Sequence, residues 1–477
     1  MKMPRTLSGT ERGRLAIRKC LLPKLRSFSR NRKCYPRFPG RLSGQAWVFS
    51  IVVPLVALIL TSVGAPGQEA TSAVVPPPEH ESAIAEIRLL RTLPAEHEVY
   101  PLMGMESGTY GVAWSPDGER LATYAADSRK VIIWDRGGKV IREIRRYGLD
   151  LLAPYTLDFV AGHSQILMAP SVIDPKGEEA RNGGNIVSNW ENSPLEKILL
   201  SRVTIETDGI ENIDGPETDK GWRYNEAGTL SVSPDQSMIA VTYGPLNRQK
   251  IGIYSTKNWR RIATPGDDIV KIPNGYDFKA VVEALAFSPN GRLLAVGRTL
   301  GQVQIYDTTT WGLVRAIDVF PDVPPPRTPM SGVLAFSPDS NSLAVGANHG
   351  GSAWILPNGQ FGKPGQGTFT INEPPDPVRV FRVSDGTRMA SASGFLAGLW
   401  LMGTRGLAWS PTNNLVAFIS AQGDLHVWNP MHPDKPHAVA YVNRNADSLA
   451  FSPDGRLIAI SVPRGIDLFE ITPKGEK

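Results

Sequence analysis

The chain has 477 residues, of which 41% are hydrophobic and 20% charged, so it is neither a disordered nor a collagen-like sequence. Glycine and proline together account for 86 residues, about 18% of the chain against about 12% in average proteins. This excess indicates many turns and argues against a helical bundle. The net charge of +5 invites a nucleic-acid-binding interpretation, but the location of the charges argues against it.

The positive charge is concentrated at the N-terminus. Residues 1–45 hold 13 Lys or Arg and one acid, Glu11, which gives the segment a charge of +12. Residues 46–477 hold 38 basic and 45 acidic residues, a balance of −7, so we expect no nucleic-acid partner. Both cysteines, Cys20 and Cys34, lie in the basic segment, and the rest of the chain therefore has no disulfide and no thiolate metal site.

Residues 46–65 form an uncharged stretch directly after the basic segment. Its apolar centre, Trp47–Val63, has 17 residues, the lower limit for a helix that spans a bilayer. Because the basic residues precede it, the positive-inside rule predicts a cytoplasmic N-terminus and an extracytoplasmic body. Three interpretations stay open, in this order of preference: an uncleaved signal anchor, a cleaved export signal with secretion of the body, and a buried core helix.

A sequence repeat organises the body of the chain after a proline-containing linker at residues 66–83. Four clear copies occupy residues 111–135, 283–307, 405–429 and 447–470. In each copy a short apolar strand ends at an aromatic residue, a Ser-Pro-Asp-Gly turn or a variant follows, and two further strands end at a second aromatic residue. Proline presets the backbone for the second turn position, and Asp and Gly suit the positions after it.

Weaker copies within residues 156–191, 230–255 and 333–355 bring the number of units to seven. The predicted first anchors are Trp114, Phe159, Val232, Phe287, Phe336, Trp409 and Phe451, and the predicted closing residues are Trp134, Trp190, Tyr254, Tyr306, Trp354, Trp428 and Phe469. We interpret these recurring aromatic side chains as core or sheet residues.

A fourth strand is expected after each closing aromatic residue, for example at Val140–Ile144, Trp259–Ile262 and Gly312–Ile317. The last unit has almost no chain left, whereas Ala85–Leu93 precedes the first unit without a partner. We predict that Ala85–Leu93 is the outer strand of the last blade and closes the ring. The sequence therefore predicts an all-β, seven-bladed propeller with four-stranded antiparallel blades at residues 84–473, preceded by one transmembrane or signal helix.

The Ser-Pro-Asp-Gly turn followed by Trp-Asp resembles the repeat of the WD-repeat β-propeller family. Trp134-Asp135, Tyr306-Asp307 and Trp428-Asn429 occupy the positions of the family's Trp-Asp pair. The family's Gly-His pair and its turn aspartate are largely missing, so we expect stability to come from aromatic and aliphatic packing. The turns also resemble those of envelope propellers of the Tol system.

No catalytic motif occurs in the sequence: a Gly-x-Ser-x-Gly elbow, a phosphate-binding loop and His-Glu-x-x-His are all missing. His432 and His437 are close in sequence, and Glu206–Asp219 is an acidic loop that offers oxygen ligands for calcium. Solvated loops are the preferred interpretation of both. We predict no catalytic residue, no metal and no cofactor.

One apolar segment, Gly394–Gly403, falls outside the repeat. It is interpreted either as the outer strand of blade five or as a patch that contacts a partner through Phe395, Leu396, Leu399, Trp400 and Leu401. The proline-containing stretches Pro321–Met330 and Pro357–Pro377 lengthen neighbouring connections and are candidate recognition loops.

The resemblance implies a non-catalytic scaffold for a protein partner, and the charge pattern of residues 1–65 predicts that an N-terminal helix holds it on the extracytoplasmic side of a membrane. The first alternative is a propeller that binds or converts a carbohydrate- or lactone-like molecule in its central channel. A second alternative is a sensory protein whose basic N-terminal tail binds anionic lipid.

Overall fold

The structure is a computed structural model, and it describes most of the repeat region. The described residues are 84–94, 109–125, 130–145, 156–162, 164–169, 198–214, 229–243, 250–266, 282–322, 331–347, 352–355, 368–371, 376, 378–392, 404, 406–420, 423–435, 437–443, 446, 448–463 and 465–474. The basic segment, the apolar segment and the linker, residues 1–83, lie outside this set. Among the described residues, no helix is long and apolar enough to cross a membrane.

Seven four-stranded antiparallel sheets follow one another along the chain, and we number them as blades 1 to 7. Blade 1 comprises β2 (Thr109–Trp114), β3 (Arg120–Ala125), β4 (Lys130–Asp135) and β5 (Val140–Arg145). Blade 2 comprises β6 (Thr156–Val160), β7 (Gln165–Ala169), β8 (Ile198–Thr204) and β9 (Gly209–Asp214). Blade 3 comprises β10 (Leu230–Val232), β11 (Met238–Tyr243), β12 (Lys250–Ser255) and β13 (Arg261–Ala263). Blade 4 comprises β14 (Val282–Phe287), β15 (Leu293–Arg298), β16 (Gln302–Asp307) and β17 (Leu313–Asp318).

Blade 5 carries an insertion. It comprises β18 (Ser331–Phe336), β19 (Ser342–Ala347), β22 (Val378–Arg382) and β23 (Arg388–Ala392), with a separate hairpin of β20 (Ser352–Ile355) and β21 (Thr368–Ile371) between its second and third strands. Blade 6 comprises β24 (Leu407–Trp409), β25 (Val416–Ile419), β26 (Asp424–Trp428) and β27 (Ala438–Tyr441). Blade 7 comprises β28 (Leu449–Phe451), β29 (Leu457–Val462), β30 (Gly465–Pro473) and, as its outer strand, β1 (Ala85–Pro94).

The first described strand and the last one pair with each other. Antiparallel β1 and β30 pair from Ala85 opposite Pro473 to Pro94 opposite Gly465, with a shift of register between Leu89 and Arg91. Cross-strand side chains support the pairing, since Thr92 Oγ1 donates to Asp467 Oδ1 at 2.7 Å and Arg88 pairs with Glu470. The predicted place of Ala85–Leu93 as outer strand of the last blade agrees with this pairing. That β1 is what holds the ring closed stays a prediction.

The blades are arranged around a ring, because each inner strand contacts the inner strand of the next blade and β28 contacts β2. The buried residues form seven clusters, one at each interface between neighbouring blades. The cluster between blades 7 and 1 includes Leu93, Trp114, Trp134 and Leu468. Apolar side chains that alternate along the strands therefore bury both faces of every blade against its neighbours.

The Ser-Pro turns are fixed by a hydrogen-bond network that recurs around the ring. In blade 1 the buried Ser115 Oγ donates to Asp117 Oδ1 at 2.6 Å and accepts the N–H of Arg120 at 2.8 Å. Asp117 Oδ1 also accepts the N–H of Glu119, and the same pattern recurs at the first turns of blades 3, 4, 5 and 7. The sequence repeats Ser-Pro-Asp because these two side chains satisfy the backbone of the turn.

Two predicted closing residues are wrong. Trp354 lies on the inserted hairpin, and Phe381 on β22 takes the closing position, since it is the residue opposite Leu343. In blade 2 the third strand is β8, where Val203 lies opposite Ile166, so Trp190 lies ahead of the strand that it was predicted to end. In both blades, a long insertion before the third strand displaces that strand from the repeat spacing.

The outer strand of blade 5 also differs from one prediction. It is β23, which ends at Ala392, so the interpretation of Gly394–Gly403 as this outer strand is wrong. The apolar segment 394–403 itself lies outside the described residues.

Candidate functional site

The strand topology gives the ring two unlike faces. We call the face that carries the connections from first to second and from third to fourth strands the turn face, and the opposite one the loop face. Connections on the turn face are short, as at residues 115–119, 288–292 and 452–456. The longest connections, residues 170–197 and 348–377, join strand ends at the loop face. Because variable loops on a rigid scaffold commonly carry binding, the loop face is the candidate functional site.

The repeat aromatics predicted from sequence lie in the interfaces between blades. All described side chains of this set are buried; they are Trp114, Trp134, Tyr254, Phe287, Tyr306, Phe336, Trp409, Trp428, Phe451 and Phe469. Trp114 Nε1 also donates to the carbonyl of Ala450 in blade 7 at 3.2 Å. The two aspartates of the Trp-Asp positions act within turn-face connections, where Asp135 Oδ1 accepts the N–H of Lys139 at 2.8 Å and Asp307 Oδ1 accepts that of Thr310 at 2.8 Å. None of these residues is placed to bind a ligand on the loop face.

The most elaborate polar cluster of the loop face is centred on Arg379 of β22. Its side chain is 1% exposed. Nη1 donates to Asp322 Oδ1 at 2.8 Å and to the carbonyl of Val319 at 2.7 Å, and Nη2 donates to Asp322 Oδ2 at 3.1 Å and to Asp376 Oδ1 at 2.6 Å. The guanidinium also lies over Phe320, with Cζ 4.6 Å from the ring centroid. We call these five residues the Arg379 cluster.

The Arg379 cluster joins segments that are far apart in sequence. Val319, Phe320 and Asp322 belong to the chain that leaves β17 of blade 4, where the candidate loop Pro321–Met330 begins. Asp376 is part of the end of the second candidate loop, Pro357–Pro377, directly before β22. The structure thus brings the bases of two loops predicted for recognition onto one buried guanidinium.

The electrostatics of the cluster favour the charged forms of Asp322 and Arg379. Hydrogen bonds from Arg379 hold the pKa of Asp322 below its usual value. Burial lowers the pKa of Arg379, but hydrogen bonds to Asp322 and Asp376 more than offset this, so the net shift is upwards. Arg388 adds a second cation, with Nη1 3.8 Å from Asp376 Oδ2. Because the Arg379 side chain is buried, whereas that of Asp322 is half exposed, loss of an aspartate leaves a buried guanidinium with fewer partners, which is destabilising.

A second buried arginine lies at the loop-face end of blade 4. Arg298 Nε donates to Gln304 Oε1 at 2.6 Å, and Tyr306 Oη donates to the same oxygen at 3.0 Å. Arg298 Nη2 reaches the carbonyl of Gly266, which follows the outer strand of blade 3, at 3.3 Å. Burial lowers the pKa of Arg298. This arrangement ties blade 4 to the connection that leaves blade 3.

Two inner strands carry carboxyl groups with a strongly shifted pKa. Burial raises the pKa of Asp158 on β6 to about 7, although the N–H groups of Phe159 and Val232 donate to it. Burial raises the pKa of Glu283, at the irregular loop-face end of β14, to about 7 as well. The strand β10 lies between these two inner strands in the ring. Asp158 is in the middle of β6, whereas Glu283 is near the loop-face end of β14, so the two carboxyl groups are at different heights in the ring.

The residues considered for metals have other neighbours. His437 stacks on Trp428 with ring centroids 5.6 Å apart and meets His426 edge-on at 6.1 Å. The prediction that Glu206–Asp219 is a loop is wrong for residues 209–214, which form β9. Within this segment Glu206 lies 3.7 Å from Arg120, Asp208 lies 3.4 Å from Arg142, and Glu211 pairs with Arg202. Within the described part of the chain, no three His, Cys, Asp or Glu residues are grouped as metal ligands.

The predicted partner patch is outside the part of the chain that the structure describes. This applies to Phe395, Leu396, Leu399, Trp400 and Leu401, and also to Trp190 of the repeat set. The patch therefore stays a prediction. By sequence position it belongs to the connection between blades 5 and 6, which joins strand ends at the loop face.

Sequence reasoning missed the Arg379 cluster, although one signal was present. Residues 378–392 alternate apolar and polar side chains around Ser384-Asp385-Gly386, the pattern of two strands and a turn. This pattern identifies β22 and β23 and would have corrected the assignment of Trp354. The contact between Arg379 and Asp322, which are 57 positions apart, has no local signal.

Comparison with known families identifies two of the repeats. Residues 97–135 and 269–307 each match the model of the family described as WD domain, G-beta repeat. Each match ends with the third strand of a blade, β4 in blade 1 and β16 in blade 4. No curated protein matches the chain significantly.

Proposed function

This chain belongs to the WD-repeat β-propellers, and from that premise we propose that it is a non-catalytic scaffold that binds a protein partner through its loop face. WD-repeat propellers generally bind proteins, which supports a protein as the partner. The observation that carries the proposal is the contrast between the two faces: the turn face repeats one hydrogen-bonded turn, whereas the loop face carries long and dissimilar connections. A fold by itself does not define a partner, so the face must be tested directly.

Site-specific cross-linking in the full-length chain tests the proposal. A photo-reactive amino acid replaces Asp318, which is exposed at the loop-face end of β17, or, as a matched control, the exposed Asp385 on the turn face. We expect a discrete protein cross-link from position 318 and none from position 385. A cross-link from the turn face alone, or from neither position, contradicts the proposal.

We also propose that the propeller is presented outside the cytoplasm, anchored by residues 46–65 or released after their cleavage. The support is the charge of +12 before an uncharged stretch of 20 residues. In the propeller, β1 begins at the turn face, since Ala85 lies opposite Pro473. The chain therefore enters opposite to the loop face. Reporter fusions after residues 40 and 80 test the orientation, and a cytoplasmic reporter at residue 80 rules it out.

The alternative is a propeller that binds or converts a small carbohydrate- or lactone-like molecule. Its support is the pair of inner-strand carboxyl groups, Asp158 and Glu283, because a pKa of about 7 suits proton transfer near neutral pH. The variant Glu283→Gln distinguishes the two proposals. It removes the proton-transfer group, so it abolishes small-molecule turnover under the alternative and leaves the cross-link from position 318 unchanged under the scaffold proposal.

A further inference from the structure

The inserted hairpin of blade 5 raises the question of what fixes it to the propeller. Strands β20 and β21 form a sheet of their own, in which Ser352 lies opposite Ile371 and Ile355 opposite Thr368. Two-stranded sheets are marginally stable in water unless other parts of the protein support them. The chain leaves this hairpin towards β22 through Asp376, so the support at Asp376 bears on the position of the whole insertion.

Asp376 is held by the Arg379 cluster. Its side chain is 10% exposed, its Oδ1 accepts from Arg379 Nη2 at 2.6 Å, and its Oδ2 faces Arg388. The same guanidinium binds both carboxylate oxygens of Asp322 and the carbonyl of Val319 from blade 4. One side chain thus fixes the end of the insertion and the beginning of the blade 4 exit segment.

The geometry makes the two attachments interdependent. Nη1 and Nη2 of one planar guanidinium serve both aspartates, so a shift of the guanidinium towards one aspartate weakens its bonds to the other. Phe320 limits such a shift from the ring side. An arginine is required here, because the single ammonium group of a lysine does not reproduce the forked geometry.

We propose that Arg379 is a positioning residue that holds the exit segment of blade 4 and the hairpin of blade 5 as one recognition unit. A protein that binds the loop face then contacts both blades together, and the two loops do not move independently. This inference rests on the proposed function for its partner, but the coupling between the loops is a property of the chain alone.

Hydrogen–deuterium exchange in the full-length protein tests the coupling without a partner. In the variant Asp322→Ala, the change is in the blade 4 segment and the readout is in the hairpin Ser352–Ile371. We expect exchange in the hairpin to become about tenfold faster, with unchanged protection in blades 1, 2 and 7. Unchanged exchange in the hairpin refutes the proposal, and a uniform increase throughout the propeller shows a purely structural role instead.

Arg379→Lys and Arg379→Gln complete the test. We expect both to accelerate exchange in the hairpin and around Pro321–Asp322 together, with Lys restoring little of the protection. Arg382→Gln is the control. Arg382 is on the same strand as Arg379 but forms an exposed ion pair with Asp385 at the turn face. If only one of the two segments responds, the loops are not coupled. Since exchange needs no partner, a missing cross-link at position 318 contradicts the scaffold proposal and leaves this result standing.

Discussion

The prediction that β1 holds the ring closed can be tested with a control on the same strand. Leu93 is 3% exposed and packs with Trp114 and Trp134 of blade 1, whereas Leu89 on the same strand is 51% exposed. Leu93 also covers Gly138 so closely that a Cβ added there would clash with Leu93 Cδ2. Leu93 therefore links the outer strand of blade 7 to blade 1, and Leu89 does not.

The size of the effect follows from this burial. Replacing a fully buried leucine with alanine costs about 2–5 kcal/mol, and we expect about 3 kcal/mol for Leu93→Ala. For a domain of about 390 residues the entropy of unfolding is about 0.8 kcal/mol/K, so the Tm decreases by about 4 °C. Leu89→Ala is expected to change stability by less than about 0.5 kcal/mol.

Urea unfolding followed by tryptophan fluorescence, together with thermal unfolding, measures both variants. A loss below about 1 kcal/mol for Leu93→Ala, or equal losses for the two variants, refutes the reasoning. Deletion of Ala85–Leu93, all of β1 except Pro94, is a stronger form of the same perturbation, because it removes eight of the nine residue pairs between β1 and β30. We expect it to destabilise all seven blades cooperatively; unchanged melting would show that β1 does not hold the ring closed.

Three further predictions concern the turns and the buried titratable groups. Ser337→Ala removes an Oγ that donates to Asp339 at 2.5 Å and accepts from Ser342 at 2.9 Å, so we expect a loss of about 1–2 kcal/mol in urea unfolding. Burial lowers the pKa of His426 from its ordinary value to about 3. Because the imidazole binds a proton more readily in the unfolded chain, the free energy of unfolding decreases as the pH falls below about 6.5. His426→Leu should flatten this slope in unfolding measurements between pH 4 and 7, and an unchanged slope contradicts the assignment. Burial raises the pKa of Asp158 to about 7, so its contribution to folding stability is present at low pH and is lost as the pH rises. The free energy of unfolding of Asp158→Asn should therefore increase relative to that of the native chain between pH 5 and 8. A difference in unfolding free energy that stays constant over this range excludes the effect.

The architecture was predictable from sequence where local chemistry determines it. The serines of the Ser-Pro turns, such as Ser115 and Ser288, bind backbone groups no more than five residues away, so the turn and its flanking strands leave a readable pattern. Six such turns predicted six inner strands, and Phe159 predicted the seventh; the strand Ala85–Leu93, which had no partner in its own unit, was predicted to pair with the last unit.

The errors have a common physical cause. The third strands were predicted from the number of residues that separates them from the turn. Insertions before the third strands of blades 2 and 5 lengthen this separation. The closing positions tolerate different apolar residues, since Val203 and Phe381 fill them as well as tryptophan does, so an aromatic residue at the expected distance was not sufficient evidence. The Arg379 cluster depends on tertiary contacts alone.

The pairing of β1 with β30 has a mechanical consequence for a protein that is loaded through its N-terminal segment. The strand enters at the turn face and ends at the loop face, so a pull on Ala85 against a partner held on the loop face acts along the strand axis. Nine residue pairs then resist the load in parallel, as in shear. A pull between Ala85 and Lys474, which leave the same end of the sheet, would instead open the pairs one after another. The pairing of β1 with β30 therefore resists a pull against a partner on the loop face better than a pull between Ala85 and Lys474.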